Sequence, residues 1–236
     1  MPNDTPDRPL AVVSGASSGI GLAIVQSLVA QGWAVRGLSR HAPAHWTHPA
    51  FTHRAVDLLD PQATEAAARE LAGARALVHA AGVLRVGPLG QLDASAGAAM
   101  WQLHVGAAEC LANHLLPAMA RAGQGRVVLL GSRVAQGKAG RSQYAASKAA
   151  LVALARSWAA EVVAQGVTVN VVSPAATDTA MLADPARQAQ APALPPIGRL
   201  IRPEEVAALV AFVLSPMAAA ITGQELQICG GASLPR

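Results

Sequence analysis

Short apolar runs alternate with longer segments of helical periodicity along most of the chain. The first apolar run covers residues 10–14 and ends in a glycine-rich turn, after which residues 20–30 read as a helix. Further strands are predicted at 33–38, 52–56, 76–79, 126–130, 167–172 and 225–228, and further helices at 61–72, 96–120, 142–164 and 204–214. This alternation predicts the α/β class: a Rossmann-like, doubly wound parallel sheet in a single domain.

Three places depart from the regular alternation. Residues 1–9 are polar and proline-rich, so we expect a flexible tail before a domain at 10–236. Residues 175–202 are rich in Pro and Ala and lie between a strand and a helix, which favours an active-site lid over a disordered segment. Pro117 is predicted to bend or end the 96–120 helix locally.

Composition excludes several function classes. Apolar residues make up 52% of the chain and charged residues 14%, as in a globular protein. The net charge is only +4 and the basic residues form no block, so we expect no nucleic-acid partner. No apolar run approaches the roughly 20 residues that span a bilayer, so we expect no membrane partner and a cytoplasmic location. The histidines at 41, 45, 48 and 53 lack ligand spacing, and we expect no metal.

The glycine-rich turn, SGASSGIG at residues 14–21, suits an anionic dinucleotide. Gly15 permits the tight turn, while Gly19 and Gly21 allow a pyrophosphate to approach the backbone and the helix to pack on the sheet. The N-terminus of the following helix supplies free N–H groups and a positive dipole end. The predicted phosphate-side contacts are Gly15, Ser17, Ser18, Gly19, Ile20 and Gly21.

The end of the second predicted strand indicates which dinucleotide is preferred. An acidic residue there would accept hydrogen bonds from a free ribose 2′-OH and favour NAD. Ser39 and Arg40 occupy these positions instead, and a guanidinium matches a 2′-phosphate in charge and geometry. NADP(H) is therefore the expected cofactor, with NAD(H) still open if Arg40 is a solvated loop residue.

A second group of residues suits proton transfer. Tyr144 and Lys148 are four positions apart, so they share one face of the predicted helix, and Ser132 ends the preceding strand within reach of the same space. The pKa of a free tyrosine is about 10, and a nearby ammonium lowers it. Taken alone, Tyr144 and Lys148 would be ordinary residues of a surface helix.

Together, the G-x-x-x-G-x-G spacing, the Y-x-x-x-K pair and the upstream serine resemble the short-chain dehydrogenase/reductase family, from Val12 to Gly231. The resemblance implies an NAD(P)-dependent oxidoreductase that interconverts a secondary alcohol and a ketone. It makes Tyr144 the acid/base, gives Lys148 the nicotinamide ribose, and has Ser132 hydrogen-bond the substrate oxygen. It also implies a homotetramer built on the helices at 96–120 and 142–164.

The same resemblance assigns further cofactor contacts. Asp57 matches the family's adenine-contacting aspartate, followed by Leu58. The run at 80–82 matches the end of the family's N-N-A-G element, and the run from Pro174 to Thr179 resembles its P-G-x-x-x-T element, with Ala175 in place of the glycine. The implied contacts are Asp57, Leu58, Ala80, Ala81, Gly82, Pro174, Thr177 and Thr179, beside Tyr144 and Lys148.

Two histidines depart from the family pattern. His104 stands where the family has an asparagine that holds a water of the proton relay. It could be a working substitute in that relay, a residue shaped for an unusual substrate, or a sign of weakened activity. His79 replaces the first asparagine of N-N-A-G, and we expect it to pack at the end of the sheet.

Three local runs, at 37–57, 80–87 and 173–179, resemble the 2,3-dihydro-2,3-dihydroxybenzoate dehydrogenases. This resemblance implies a small-molecule substrate of the cyclic hydroxy or dihydrodiol kind, with Arg85 facing a carboxylate on its ring. That group resembles NAD enzymes with an acid at the end of the second strand, which this chain lacks. The alternatives are a ketoreductase of the 3-oxoacyl-carrier-protein type and, in another class, a cofactor-binding sensor with little turnover.

Overall fold

The computed structural model describes residues 8–183 and 194–235. Its sheet has seven parallel strands in the order β3-β2-β1-β4-β5-β6-β7. The strands are β1 (Leu10–Ser14), β2 (Ala34–Ser39), β3 (Phe51–Ala55), β4 (Ala74–His79), β5 (Gly125–Leu130), β6 (Val167–Pro174) and β7 (Glu225–Ile228). The predicted Rossmann-like, doubly wound sheet is confirmed. Strand order reverses between β1 and β4, and ligands bind beyond the carboxyl ends of the strands at such a point.

Helices cover both faces of the sheet. They are α1 (Gly19–Ala30), α2 (Pro61–Arg69), α3 (Ala94–Trp101), α4 (Ala107–Arg121), α5 (Ser142–Val162) and α6 (Pro203–Leu214). Because successive strand residues face opposite sides, Val127 packs with α2, α4 and α5, whereas Val128 packs with α1 and α6. Both cores are apolar, as a parallel sheet buried on two faces requires.

The helix predicted at 96–120 is interrupted, but not at its proline. A π-helical turn, Gln102–Gly106, separates α3 from α4, and α4 then runs through Pro117 to Arg121. The prediction that the helix ends at Pro117 is therefore wrong. Pro117 and Asn113, whose carbonyl loses its helical partner, both lie on the exposed face, where water can satisfy that carbonyl.

The segment predicted as a lid is described only at its two ends, 175–183 and 194–202, and residues 184–193 lie outside the described part. The ends are joined. The amide of Asp178 donates to the carbonyl of Ile201 (2.8 Å), and the amide of Ile201 donates to the carbonyl of Ala176 (3.0 Å). The lid stays a prediction, as does the flexible tail, of which only residues 8 and 9 are described.

Candidate active site

Two adjoining clefts lie beyond the carboxyl ends of the strands. The first has a volume of about 450 Å³ and the second of about 510 Å³. Their shared lining residues are Ile20, Ala80, Gly82, Val83, Thr179 and Met181. The two clefts therefore form one continuous groove at the point where the strand order reverses.

The glycine-rich turn forms one wall of the first cleft. Gly15 has φ +69°, and a Cβ there would lie 2.8 Å from the Cα of Ala81. A Cβ on Gly21 would overlap the carbonyl oxygen of Gly15. Neither position can carry a side chain, because the turn, the first turn of α1 and the loop after β4 are in direct backbone contact.

The N-terminus of α1 is left open toward this cleft. Asp60 and Asp93 cap α2 and α3 through their carboxylates, but the side chain of Ser18 makes no cap hydrogen bond to α1. The first N–H groups of α1 and its positive dipole end are thus available to an anion. This arrangement fits the phosphates of a dinucleotide, with Ser17, Ser18, Gly19 and Ile20 along the lining.

The far end of the first cleft holds the residues predicted to contact the adenosine half. Ser39, Arg40, Asp57 and Leu58 all line it. The hydroxyl of Ser39 donates to the carbonyl of His41 (2.9 Å), and a carboxylate oxygen of Asp57 accepts from the amide of Leu59 (3.1 Å). Arg40 is exposed, so its guanidinium can reach a phosphate at this end.

Ser132, Tyr144 and Lys148 meet in the second cleft. The hydroxyl oxygen of Ser132, just beyond β5, accepts from the amide of Val134 (3.2 Å). Tyr144 and Lys148 lie one turn apart on α5, with the ammonium nitrogen 6.0 Å from the centre of the phenol ring. Lys148 is buried and donates to the carbonyl of Leu130 (2.7 Å); burial lowers its pKa to about 7.

His104 lies in the π-helical turn and is fully buried. Its Nε2 accepts from the amide of Val83 (3.1 Å), which fixes the ring proton on Nδ1. Nδ1 then donates to the hydroxyl of Ser147 (2.8 Å), which donates to the carbonyl of Tyr144 (2.8 Å). Burial, then the charge of Lys148, hold the pKa of His104 well below its ordinary value, so the ring is neutral.

His79 does more than the packing expected of it. The hydroxyl oxygen of Ser14 accepts from the amides of Ala80 (3.0 Å) and Ala81 (3.1 Å), so its proton is left to donate to Nδ1 of His79 (2.9 Å). Nε2 donates to the carbonyl of Leu103 (3.1 Å) in the π-helical turn. Burial lowers the pKa of His79 to about 3. The sequence signal for this bridge was a serine and a histidine at the ends of two adjacent strands.

The remaining predicted contacts, Pro174, Thr177 and Thr179, also line the second cleft. The hydroxyl of Thr177 donates to the carbonyl of Ala175 (3.1 Å), and a Cβ on Gly19 would lie 3.2 Å from the Cγ2 of Thr179. The segment after β6 therefore contacts the glycine-rich turn across the groove.

The basic residues near the second cleft differ from the expectation. Arg85 lines the first cleft and not the second. Three basic residues that the sequence reasoning did not single out line the second cleft instead: Arg133, Lys138 and Arg141. Over residues 8–183 and 194–235 there is no cluster of three His, Cys, Asp or Glu side chains that could hold a metal ion. A search of the same residues finds no helix with the length and hydropathy of a membrane span.

Comparison with known proteins agrees with this geometry. A family model described as enoyl-(acyl carrier protein) reductase matches residues 15–233. The chain is 35% identical over 235 residues to the 3-oxoacyl-[acyl-carrier-protein] reductase of Vibrio cholerae, covering 94% of this chain and 96% of that protein. It is 37% identical over 238 residues to the cis-4-hydroxycyclohexanecarboxylate dehydrogenase of Sinomonas cyclohexanicum, covering 94% and 95%.

Two further matches extend the comparison. The 2,3-dihydro-2,3-dihydroxybenzoate dehydrogenase of Escherichia coli is 34% identical over 239 residues, covering 94% of this chain and 96% of that protein. A solved structure of a short chain dehydrogenase/reductase family protein superposes with a TM-score of 0.86 at 31% identity, covering 94% of this chain and 96% of that one. The chain therefore belongs to the short-chain dehydrogenase/reductase family of NAD(P)(H)-dependent oxidoreductases, which interconvert alcohols and ketones.

Proposed function

We propose that this enzyme is an NADP(H)-preferring dehydrogenase/reductase of small secondary alcohols and ketones, with Tyr144 as its acid/base. One observation carries the proposal: Ser132, Tyr144 and Lys148 line a cleft that opens directly into the groove of the glycine-rich turn. A cofactor in the first cleft and a substrate in the second would therefore meet beside the phenol.

Three side chains have separate roles in the proposed proton transfer. The hydroxyl of Ser132 donates a hydrogen bond to the substrate oxygen and holds it beside Tyr144. In reduction, Tyr144 gives its phenolic proton to that oxygen; in oxidation, its phenolate removes the hydroxyl proton. The ammonium of Lys148 favours the phenolate electrostatically. When bound, the nicotinamide supplies the hydride chemistry.

The preference for NADP(H) rests on Arg40 at the adenosine end of the first cleft. No carboxylate stands at the end of β2 to accept from a free 2′-OH, and Arg40 offers charge-assisted hydrogen bonds to a 2′-phosphate. The same proposal includes the other cofactor contacts expected from the sequence: Gly15, Ser17, Ser18, Gly19, Ile20, Gly21, Asp57, Leu58, Ala80, Ala81, Gly82, Pro174, Thr177 and Thr179.

His104 is proposed as a positioning residue. Both of its nitrogens are bonded to protein atoms, so the ring connects the loop after β4, through Val83, with the turn of α5 that carries Tyr144. A relay function would require one of these bonds to give way to a water, and that function stays a prediction.

Relatives support two substrate classes. The named activities of the S. cyclohexanicum and E. coli relatives favour a cyclic hydroxy or dihydrodiol substrate, and that of the V. cholerae relative favours a 3-oxoacyl thioester. A homotetramer is also proposed. An open cleft between α4 and α5, lined by Leu116, Trp158 and Val162 among others, leaves apolar surface for a second copy. A cytoplasmic location remains an expectation.

The testing experiment follows nicotinamide absorbance with NADP⁺ or NAD⁺ and a panel of cyclic alcohols, and with NADPH and a 3-oxoacyl thioester. Turnover that prefers NADP(H) and disappears in Tyr144→Phe, with NADPH affinity retained in that variant, is the expected result. Normal turnover in Tyr144→Phe would disprove the acid/base role. Tight NADPH binding without turnover on any substrate would favour a cofactor sensor.

A further inference from the structure

The second cleft is lined by basic side chains around its reacting groups. Arg133, Lys138 and Arg141 line it together with Tyr144. Among the described residues, no aspartate or glutamate lines this cleft. Charges of one sign in a cleft with low-dielectric walls focus their field on a ligand more strongly than charges on an open surface. The charge distribution of the cleft therefore favours an anion.

The two arginines lie close in the chain to the reacting groups. Arg133 follows Ser132 directly and begins the short turn Arg133–Gln136. Arg141 stands directly before α5, whose first turn carries Tyr144. The amide of Gly87 donates to the carbonyl of Gly140 (2.9 Å), which ties this segment to the loop after β4. Both arginines therefore lie within three residues of a side chain that we propose contacts the substrate oxygen, and both line the same cleft.

Neither arginine is committed to a carboxylate of the chain. Within residues 8–183 and 194–235, the arginines at 54, 69, 199 and 202 form ion pairs with glutamates, but Arg133 and Arg141 form none. Both are half-buried. Their donors are therefore held at the cleft and open to an anionic ligand, for which a guanidinium provides paired hydrogen bonds.

The other lining side chains define the rest of the ligand. They are largely apolar and include Leu84, Val134, Leu182, Leu194 and Leu234. A volume of about 510 Å³ is in the range of small-molecule sites. We propose that Arg133 and Arg141 bind a carboxylate of the substrate, so that the enzyme acts on small hydroxy- and oxo-carboxylic acids with an apolar body. This proposal rests on the proposed function and names its substrate class.

A matched pair of substrates tests the proposal. The kinetics of cis-4-hydroxycyclohexanecarboxylate and of its uncharged carboxamide are compared in wild type, Arg133→Met and Arg141→Met. The control is Arg121→Met, because Arg121 is exposed at the end of α4 and lines neither cleft. We expect kcat/KM for the acid to fall about 10- to 100-fold in both cleft variants, mainly through KM, since each loses a charged hydrogen bond.

For the carboxamide, kcat/KM in the two cleft variants should stay close to the wild-type value. In Arg121→Met, kcat/KM for both substrates should stay close to it. Equal losses for the acid and the carboxamide would mean that the arginines serve only the structure. An unchanged kcat/KM for the acid in both variants would show that they do not bind the carboxylate. Either result refutes the proposal, while turnover of the alcohols by wild type would still support the proposed function.

A binding measurement separates this proposal from the proposed function. Calorimetric titration of the NADPH complex with cyclohexanecarboxylate, which carries no reacting hydroxyl, needs no turnover. We expect binding in wild type that weakens about 10- to 100-fold in either cleft variant. Equal affinities in all proteins, or no binding to wild type, would overturn the proposal. So would variants that slow reduction of a carrier-protein-bound 3-oxoacyl thioester but not oxidation of the free acid.

Discussion

Acid should destabilise this protein through His79, and replacing that residue should remove part of the effect. The ring is buried, with both nitrogens bonded, and burial lowers its pKa to about 3. The pKa of a histidine in an unfolded chain is about 6.5. Between these two values the unfolded chain binds a proton that the native protein does not bind, so the free energy of unfolding must fall as the pH drops below about 6.5.

The size of the effect follows from the two pKa values. At about pH 5, the protonated form of this histidine in the unfolded chain exceeds the neutral form roughly 30-fold. This ratio corresponds to about 2 kcal/mol in favour of unfolding. At about pH 7 the same contribution is only about 0.2 kcal/mol. The expected loss between the two conditions is therefore about 2 kcal/mol from His79 alone.

His79→Asn is the test variant, because an amide keeps an acceptor for the hydroxyl of Ser14 and a donor for the carbonyl of Leu103 but does not titrate. The free energy of unfolding is measured in urea at about pH 7 and pH 5, at one protein concentration. The variant should lose about 2 kcal/mol less than wild type between the two conditions. His104 contributes equally to both proteins and cancels in the difference.

His45→Asn serves as the control, since His45 is an exposed residue. A pH dependence that is identical in His79→Asn and wild type would refute the reasoning. It would mean that the native protein binds the proton at His79 as readily as the unfolded chain does.

Three other predictions concern the groove. Arg40→Ala should weaken NADPH binding about 10-fold or more and leave NADH affinity nearly unchanged, because only NADPH carries the 2′-phosphate; equal losses in fluorescence titrations would contradict that role. His104→Ala should lower kcat, and His104→Asn should restore part of it, without moving the pH profile of kcat, because the ring is neutral in the native protein; a displaced profile would instead support a titrating relay. Cofactor binding should take up a proton at about pH 8.5 but not at about pH 6, because the pKa of Lys148 in the free enzyme is about 7 and an anionic ligand favours the ammonium. Calorimetry in buffers of different ionisation enthalpy measures this uptake; its persistence in Lys148→Met would assign it to another group.

The parts of the site that sequence reasoning could predict depend on local geometry. The glycines between β1 and α1 determine the conformation of that turn locally. Tyr144 and Lys148, four residues apart, lie on the same face of α5 whatever the helix packs against. Residues of the glycine turn line the first cleft, and Tyr144 and Lys148 line the second. The doubly wound parallel sheet followed equally from the alternation of elements and the handedness of crossovers.

Features that depend on tertiary contacts could not be predicted in this way. The π-helical turn has no signal of its own in residues 102–106, and its carbonyl at Leu103 is satisfied by His79 from another element. The direction of a loop arginine depends on the path of the loop. Arg85 therefore lines the first cleft, whereas Arg133 and Arg141, on the segment that follows β5, line the second cleft.

The two buried histidines together explain where positive charge can reside in the site. The hydroxyl oxygen of Ser14 already accepts two amide protons, so it can only donate to His79; the amide of Val83 can only donate to His104. Burial lowers the pKa of both rings and so holds them neutral, and each ring has one nitrogen that already accepts a neighbour's proton. A Cβ on Gly82 would lie 3.2 Å from Nε2 of His104 and 3.6 Å from the ammonium of Lys148, so these two buried bases are close neighbours. Because both histidine rings are neutral, Lys148 is the one residue of His79, His104 and Lys148 whose positive charge can act on the phenol of Tyr144. Its pKa of about 7 means that this charge changes near neutral pH.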